Sequence, residues 1–152
     1  MFNSINFFDR FAAYSRMWRK MDQFNLQLDY YGALNLHKAL LEAKFHQNPD
    51  NELISVSPVI ADIYIQVRDF LIQNDKPKSN HRASCWKEWF ELKNRSDYKQ
   101  HAIILLTKYK RWDQSSLDEK KKITKNCLAP FFFDETELNA IVTEIDQHRK
   151  QI

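Results

Sequence analysis

An all-α fold, an irregular bundle of six to seven helices forming a single domain over residues 1–152, is the architecture this sequence predicts. Three observations predict it. Gly32 is the only glycine in the chain, and hairpin turns, bulges and phosphate-cradling loops draw on glycine for backbone angles that other residues adopt at a cost. Apolar side chains recur at three- and four-residue steps along most of the sequence, which is the period of a helix face. Helix-starting residues, Ser or Asp followed by Glu or Pro, stand directly before those periodic stretches. The glycine shortage also excludes a P-loop, a dinucleotide-binding fingerprint and a nucleophile elbow, each of which requires several glycines at fixed offsets.

Residues 4–21 open the chain with Phe7, Phe11, Tyr14, Trp18 and Met21 on one helical face and Ser4 as an N-cap. A second helix is expected over residues 29–45, where Tyr30, Leu34, Leu41 and Phe45 line up with Ala33, Leu36 and Leu40, before a break at Asn48-Pro49-Asp50. Ser57-Pro58 opens the clearest helix, carrying Val59, Ile60, Ile63, Tyr64, Val67, Phe70 and Leu71. Residues 73–80 contain no apolar side chain and include Pro77, so they predict a surface loop between two helical halves. Beyond it, helices are expected over residues 83–93 and 96–112. Ser116 with Glu119 caps a further one running through Ile123 to Leu128, and Asp134 with Glu137 caps the last, which bears Leu138, Ile141, Val142 and Ile145. Pro130 and the Phe131-Phe132-Phe133 run form an apolar corner between these two. The fragment AKFHQNPDN resembles the end of a tetratricopeptide repeat, but no neighbouring stretch repeats it and no peptide-binding role is carried over.

The longest uncharged run, residues 53–61, is nine residues long and includes two serines and a proline. A membrane span needs about 20 apolar residues, so none is expected. The start of the chain lacks an early basic region and interrupts its apolar stretch with Asp9 and Arg10, unlike a signal peptide. Cys85 and Cys127 are too few for a disulfide framework and fit free thiols in a reducing compartment. The expectation is a cytoplasmic protein.

Charge is strongly segregated along the chain. Residues 1–75 carry seven basic and nine acidic side chains, residues 76–125 fourteen basic and six acidic, and residues 126–152 two basic and five acidic. The middle block supplies the candidate binding residues: Lys87, Lys93, Arg95, Lys108, Lys110, Arg111, Trp112, Lys120, Lys121, Lys122 and Lys125. Cations at that density neutralise phosphates and release counterions. Trp86, Trp89 and Trp112, if exposed, would offer unpaired bases a stacking surface, favouring single strands over duplex. Lysines on a solvated face and aromatics in a core give the same pattern. An acidic surface on a partner protein is an equally natural target. The leading expectation is therefore a small non-enzymatic binding module, an accessory subunit or inhibitor engaging nucleic acid or an acidic protein. A second is a protein-only interaction domain or homodimer built on the aromatic N-terminal stretch. Docking of that stretch on a membrane surface, with Arg10, Arg16, Arg19 and Lys20 beside its aromatics, is a third.

Arg95 and His101, with five residues between them, resemble the arginine-x4-6-histidine signature of HEPN ribonucleases, a family of small helical proteins. The resemblance implies metal-independent RNA cleavage in a dimer, with His101 in proton transfer and Arg95 on the phosphate. That family favours an amide, an acid or a histidine directly after the arginine, where Ser96 stands here. Six positions on one continuous helix rotate two side chains apart by roughly 240°, so the two converge only if Arg95 precedes the helix. His81 and Cys85 have a metal-pair offset but no second pair to complete a site. His37, on a leucine-rich stretch, reads as a satisfied histidine between core and surface. Asp62 with Asp69 and Glu137 with Glu144 are spaced like solvated helix faces. No Glu-x-x-His pair occurs, and no cofactor or metal is assigned.

Overall fold

The structure is a computed structural model that describes residues 26–46, 53–74 and 85–151. The expected first helix over 4–21, the break at Asn48-Pro49-Asp50 and most of the 73–80 loop lie outside the described residues. Gln73 is still helical and Asn74 caps its end.

The capping signals act where the sequence places them. Helix α1 (Tyr30–Phe45) starts with the Asp29 carboxylate accepting from the Gly32 backbone N–H at 2.7 Å. Gly32 is there for space: no described residue has a positive φ, and a Cβ at position 32 would lie 3.0 Å from the Leu28 side chain. The short α2 (Leu53–Val56), which no periodicity announces, leads into α3 (Pro58–Gln73), where the Ser57 hydroxyl accepts from the Ile60 N–H. A one-turn α4 (Cys85–Trp89) is followed by a 3-10 turn, Leu92–Asn94, and by α5 (Ser96–Lys108). After a second 3-10 turn, Trp112–Gln114, come α6 (Leu117–Leu128) and α7 (Glu135–Arg149). Ser116 and Glu119 form a reciprocal capping box, and Asp134 accepts from the Glu137 N–H at 2.7 Å. The result is an all-α bundle, with seven α-helices among the described residues.

Two expected helices are shorter than their periodicity suggests, and each is stopped by a partner distant in sequence. The expected helix over 83–93 ends at Trp89 because the Phe90–Leu92 backbone pairs with the apolar corner. Leu92 donates to the Phe132 carbonyl at 3.0 Å and Phe132 donates to the Phe90 carbonyl at 2.8 Å. Phe90 and Leu92 are thereby fully buried. The expected helix over 96–112 ends at Lys108, and the chain turns so that Trp112 points inwards. There the carbonyl of Thr107, left without an intrahelical donor, accepts from the Arg149 guanidinium of α7, as does that of Tyr109, which also accepts from the Trp112 N–H.

One core cluster runs through all the longer helices, with Leu106 of α5, Leu128 of α6 and Ile141 and Ile145 of α7 fully enclosed. Arg68 of α3 fastens the apolar corner to it, donating to the Pro130 carbonyl at 2.8 Å and lying 4.1 Å above the Phe132 ring.

Lys44, 1% exposed, is the anomaly of this core. Its ammonium donates to the backbone carbonyls of Ser55 in α2 and Asn126 in α6, both at 2.8 Å, and its own carbonyl accepts from the Ser55 hydroxyl at 2.7 Å. Two carbonyl dipoles replace a carboxylate. Burial pushes the Lys44 pKa down to about 8, opposed by the Cys127 thiol, and the same burial pushes that thiol up to about 11.

The sign of the resulting pH dependence follows from linkage. Above pH 8 the folded chain releases the Lys44 proton while the unfolded chain keeps it to about 10.5, so stability rises with pH there. From about pH 9 Cys127 works the other way, because the unfolded chain ionises first. We predict a net gain of about 0.6 kcal/mol in unfolding free energy from pH 8 to 9 in urea titrations, and a shallow decline over that interval for Lys44→Met, which keeps Cys127.

Candidate functional site

The basic block meets its counter-charge inside the same molecule. Lys120 of α6 pairs with Asp146 of α7 at 2.8 Å, and Lys121 and Lys125 share Glu135 at 3.0 and 3.4 Å. Lys99 of α5 reaches Glu137 at 3.5 Å, and Asp113 takes the Arg149 guanidinium at 2.5 Å. Burial disfavours the Asp146 carboxylate, yet the bonds from Lys120 and the Trp112 indole outweigh it and hold the carboxyl below its ordinary range. The alternation of basic and acidic blocks along the chain is thus in part a complementarity between α5, α6 and α7. Sequence reasoning missed this role for Asp146, Glu135 and Glu137, although the acidic block following the basic one carried the signal.

The tryptophans face inwards too. Trp112 is fully buried, with Nε1 donating to Asp146 Oδ1 at 2.8 Å and the Lys120 ammonium 5.5 Å from its ring, so it presents no face to a base. Trp86 and Trp89 are half-buried and bring α4 against α1. Their rings lie 5.3 and 4.9 Å from the His37 imidazole, with Phe90 at 5.6 Å. Trp86 Nε1 donates to the Tyr30 hydroxyl at 3.0 Å. His37 itself is buried, and a 3.0 Å hydrogen bond joins its Nδ1 to the Tyr64 hydroxyl. Burial, reinforced by Lys38, pushes the His37 pKa down to about 4. His37 is a satisfied core histidine.

Arg95 stands just before α5, as convergence with His101 requires. Its guanidinium is engaged elsewhere, 4.6 Å over the Trp89 ring with Nε donating to the Trp89 carbonyl at 3.0 Å. His101 looks towards the end of α1, its ring 5.9 Å from that of Phe45. Its Nε2 is enclosed without a hydrogen-bond partner, and burial together with His46 lowers its pKa. Among the described residues no hydrogen bond or ion pair joins Arg95 to His101. Of the His81 and Cys85 pair, His81 lies outside the described residues and Cys85 is an exposed free thiol. No group of three or more metal-ligating side chains is assembled among the described residues.

Six of the eleven candidate residues remain as exposed cations with no carboxylate at ion-pair distance among the described residues: Lys87, Lys93, Lys108, Lys110, Arg111 and Lys122. Lys108, Lys110 and Arg111 fall together where α5 gives way to the Trp112 turn, and that turn is pinned beneath by Trp112 and Arg149. Lys87 and Lys93 sit apart, interleaved with Glu88 and Glu91 around a shallow polar depression. Lys122 lies on the outer side of α6.

The His37 cluster generates a prediction in acid. Below pH 6.5 the unfolded chain protonates this histidine while the folded chain resists to about pH 4, so stability is lost as pH falls through that window. Chemical denaturation at pH 7.5 and 5.0 should show wild type losing about 2 kcal/mol more than His37→Gln. Equal losses would mean that the cage does not hold the ring neutral. No protein-family model, curated protein or solved structure matches this chain.

Proposed function

We propose that this protein is a small helical binding module, an accessory subunit or inhibitor in a nucleoprotein setting, which engages single-stranded nucleic acid through its phosphates. The observation that supports it is the unpaired cationic turn Lys108, Lys110 and Arg111, left open while neighbouring lysines of the same basic block are neutralised by α7. A cluster of lysine and arginine on a rigid turn fits a polyanion, because each phosphate contact releases counterions. With Trp112 buried and Trp86 and Trp89 packed on His37, base stacking contributes little, so binding is expected to be insensitive to sequence.

Fluorescence anisotropy with short single-stranded RNA and DNA at two salt concentrations tests this reading. Replacing Lys108, Lys110 and Arg111 together with Gln should flatten the dependence of log affinity on log salt by about 2, at roughly 0.7 per lost phosphate contact. Lys121→Gln, which removes a cation already paired with Glu135, should leave the slope nearly unchanged. Absence of salt-sensitive binding would set nucleic acid aside in favour of an acidic protein surface.

A second reading, RNA cleavage by Arg95 and His101, draws on the His101 Nε2 that is left without a partner. It requires Arg95 to leave the Trp89 ring when substrate binds. On this reading His101→Ala retains its circular-dichroism spectrum and melting temperature but loses cleavage of single-stranded RNA. Cleavage that survives the substitution would eliminate it.

A further inference from the structure

Helices α1 and α3 lie side by side without closing the space between them. A groove of about 660 Å³ runs along the pair, walled by Leu36 and Leu40 of α1 and by Ile63 and Phe70 of α3, with Gln66 the single polar side chain among its described lining residues. Leu26, which also lines it, is 60% exposed and Ile63 38% exposed, so the outer side of the groove is apolar surface open among the described residues. Contiguous surface of that kind on a small protein marks a place where something docks.

The charges beside this groove are of one sign. Asp62 and Asp69 stand seven positions apart, roughly 20° from one another around α3, on the solvent side of Gln66. Asp29 is exposed at the end of α1 next to Leu28, another lining residue. The basic side chains of the two helices are directed elsewhere. Lys44 is buried in the core, and Arg68, which pairs with Asp69 at 2.8 Å, lies over the Phe132 ring with 13% of its side chain exposed. Lys38 falls roughly 200° around α1 from Leu36, away from the groove.

We propose that the groove receives an amphipathic helix of a partner protein, with apolar anchors three and four positions apart and lysine or arginine beside them. The shape suits a helix, because walls of 16 residues each run for about 24 Å and accommodate about four turns. The rim selects its charge. Asp29, Asp62 and Asp69 attract basic flanks and repel both an acidic helix and an anionic lipid surface. A second copy docking through the same face would bring the acidic rims of both chains into one interface. A small apolar molecule would stay largely in water, since ligand sites enclose roughly 70–90% of what they bind and this groove is open along its outer side. The surface is separate from the cationic turn, and its occupancy does not depend on nucleic-acid binding.

Fluorescence anisotropy with the full chain tests this, using two helix-stapled, fluorescein-labelled peptides of about four turns that share one leucine face. One carries lysines beside that face and the other glutamates. The lysine peptide is expected to bind, and the glutamate peptide to bind about tenfold more weakly, as several exposed charge contacts together allow. Asp62→Asn combined with Asp69→Asn should reduce that preference to about threefold or less. Ile63→Lys should abolish binding of the lysine peptide with the melting temperature kept. Replacing Lys108, Lys110 and Arg111 with Gln should leave both affinities in place, which separates this surface from the nucleic-acid reading. Equal affinity for the two peptides, binding that survives Ile63→Lys, or no binding of the lysine peptide overturns the proposal. A dimer in light scattering that Ile63→Lys dissociates assigns the groove to a second copy and overturns it as well.

Discussion

The ammonium of Lys44 sits between the carbonyls of Ser55 and Asn126, and the mutual placement of α1, α2 and α6 follows from that contact. A buried cation without an anionic partner is costly to desolvate, so it persists only where its donors are met. Shifting α2 or α6 would strand the charge, whereas an apolar side chain at position 44 would tolerate either displacement. The contact therefore selects one packing among many. It also accounts for α2, a four-residue helix too short to persist alone: its Ser55 is bonded to residue 44 through both its carbonyl and its hydroxyl. The rest of the core, from Tyr64 on α3 to Ile145 on α7, assembles around a frame that this single amine keeps in register.

Electrostatics outside the core follow a different rule. The basic and acidic blocks that look like a binding face and a tail in the linear sequence become neighbouring helices, and four of the block's lysines are paired between them. Partly exposed pairs of this kind contribute modestly to stability, on the order of 0–1 kcal/mol each. Their larger effect is on what is left over. With Lys120, Lys121 and Lys125 engaged, the exposed cations without an ion pair among the described residues are Lys108, Lys110 and Arg111 on the turn after α5, Lys122 on α6, and Lys87 and Lys93 near α4.

What was legible in the sequence was local. Asp29, Ser57, Ser116 and Asp134 cap helices through bonds to residues three positions on, and the signal and the structure lie within the same few residues. Helix ends set from afar were not legible: Trp89 closes α4 because Phe132 claims the next backbone groups, and α5 closes at Lys108, where Arg149 donates to the carbonyls of Thr107 and Tyr109. The site suffers from the same blindness to distance. Periodicity puts Trp112 and Lys120 in a basic and aromatic stretch, but only the fold reveals that both bond one oxygen of Asp146. Lys44 is the extreme case, since a lysine in the last turn of a helix ordinarily reads as a solvated cap.

The Arg149 clasp orders events in time as well as in space. The carbonyl oxygens of Thr107 and Tyr109 are synthesised about forty residues before the guanidinium that donates to them. At translation rates of roughly 5–20 residues per second, the end of α5 spends seconds without this clasp. Over that interval the Trp112 indole also lacks Asp146, its acceptor. The turn that carries Lys108, Lys110 and Arg111 gains these two anchors only when α7 is in place.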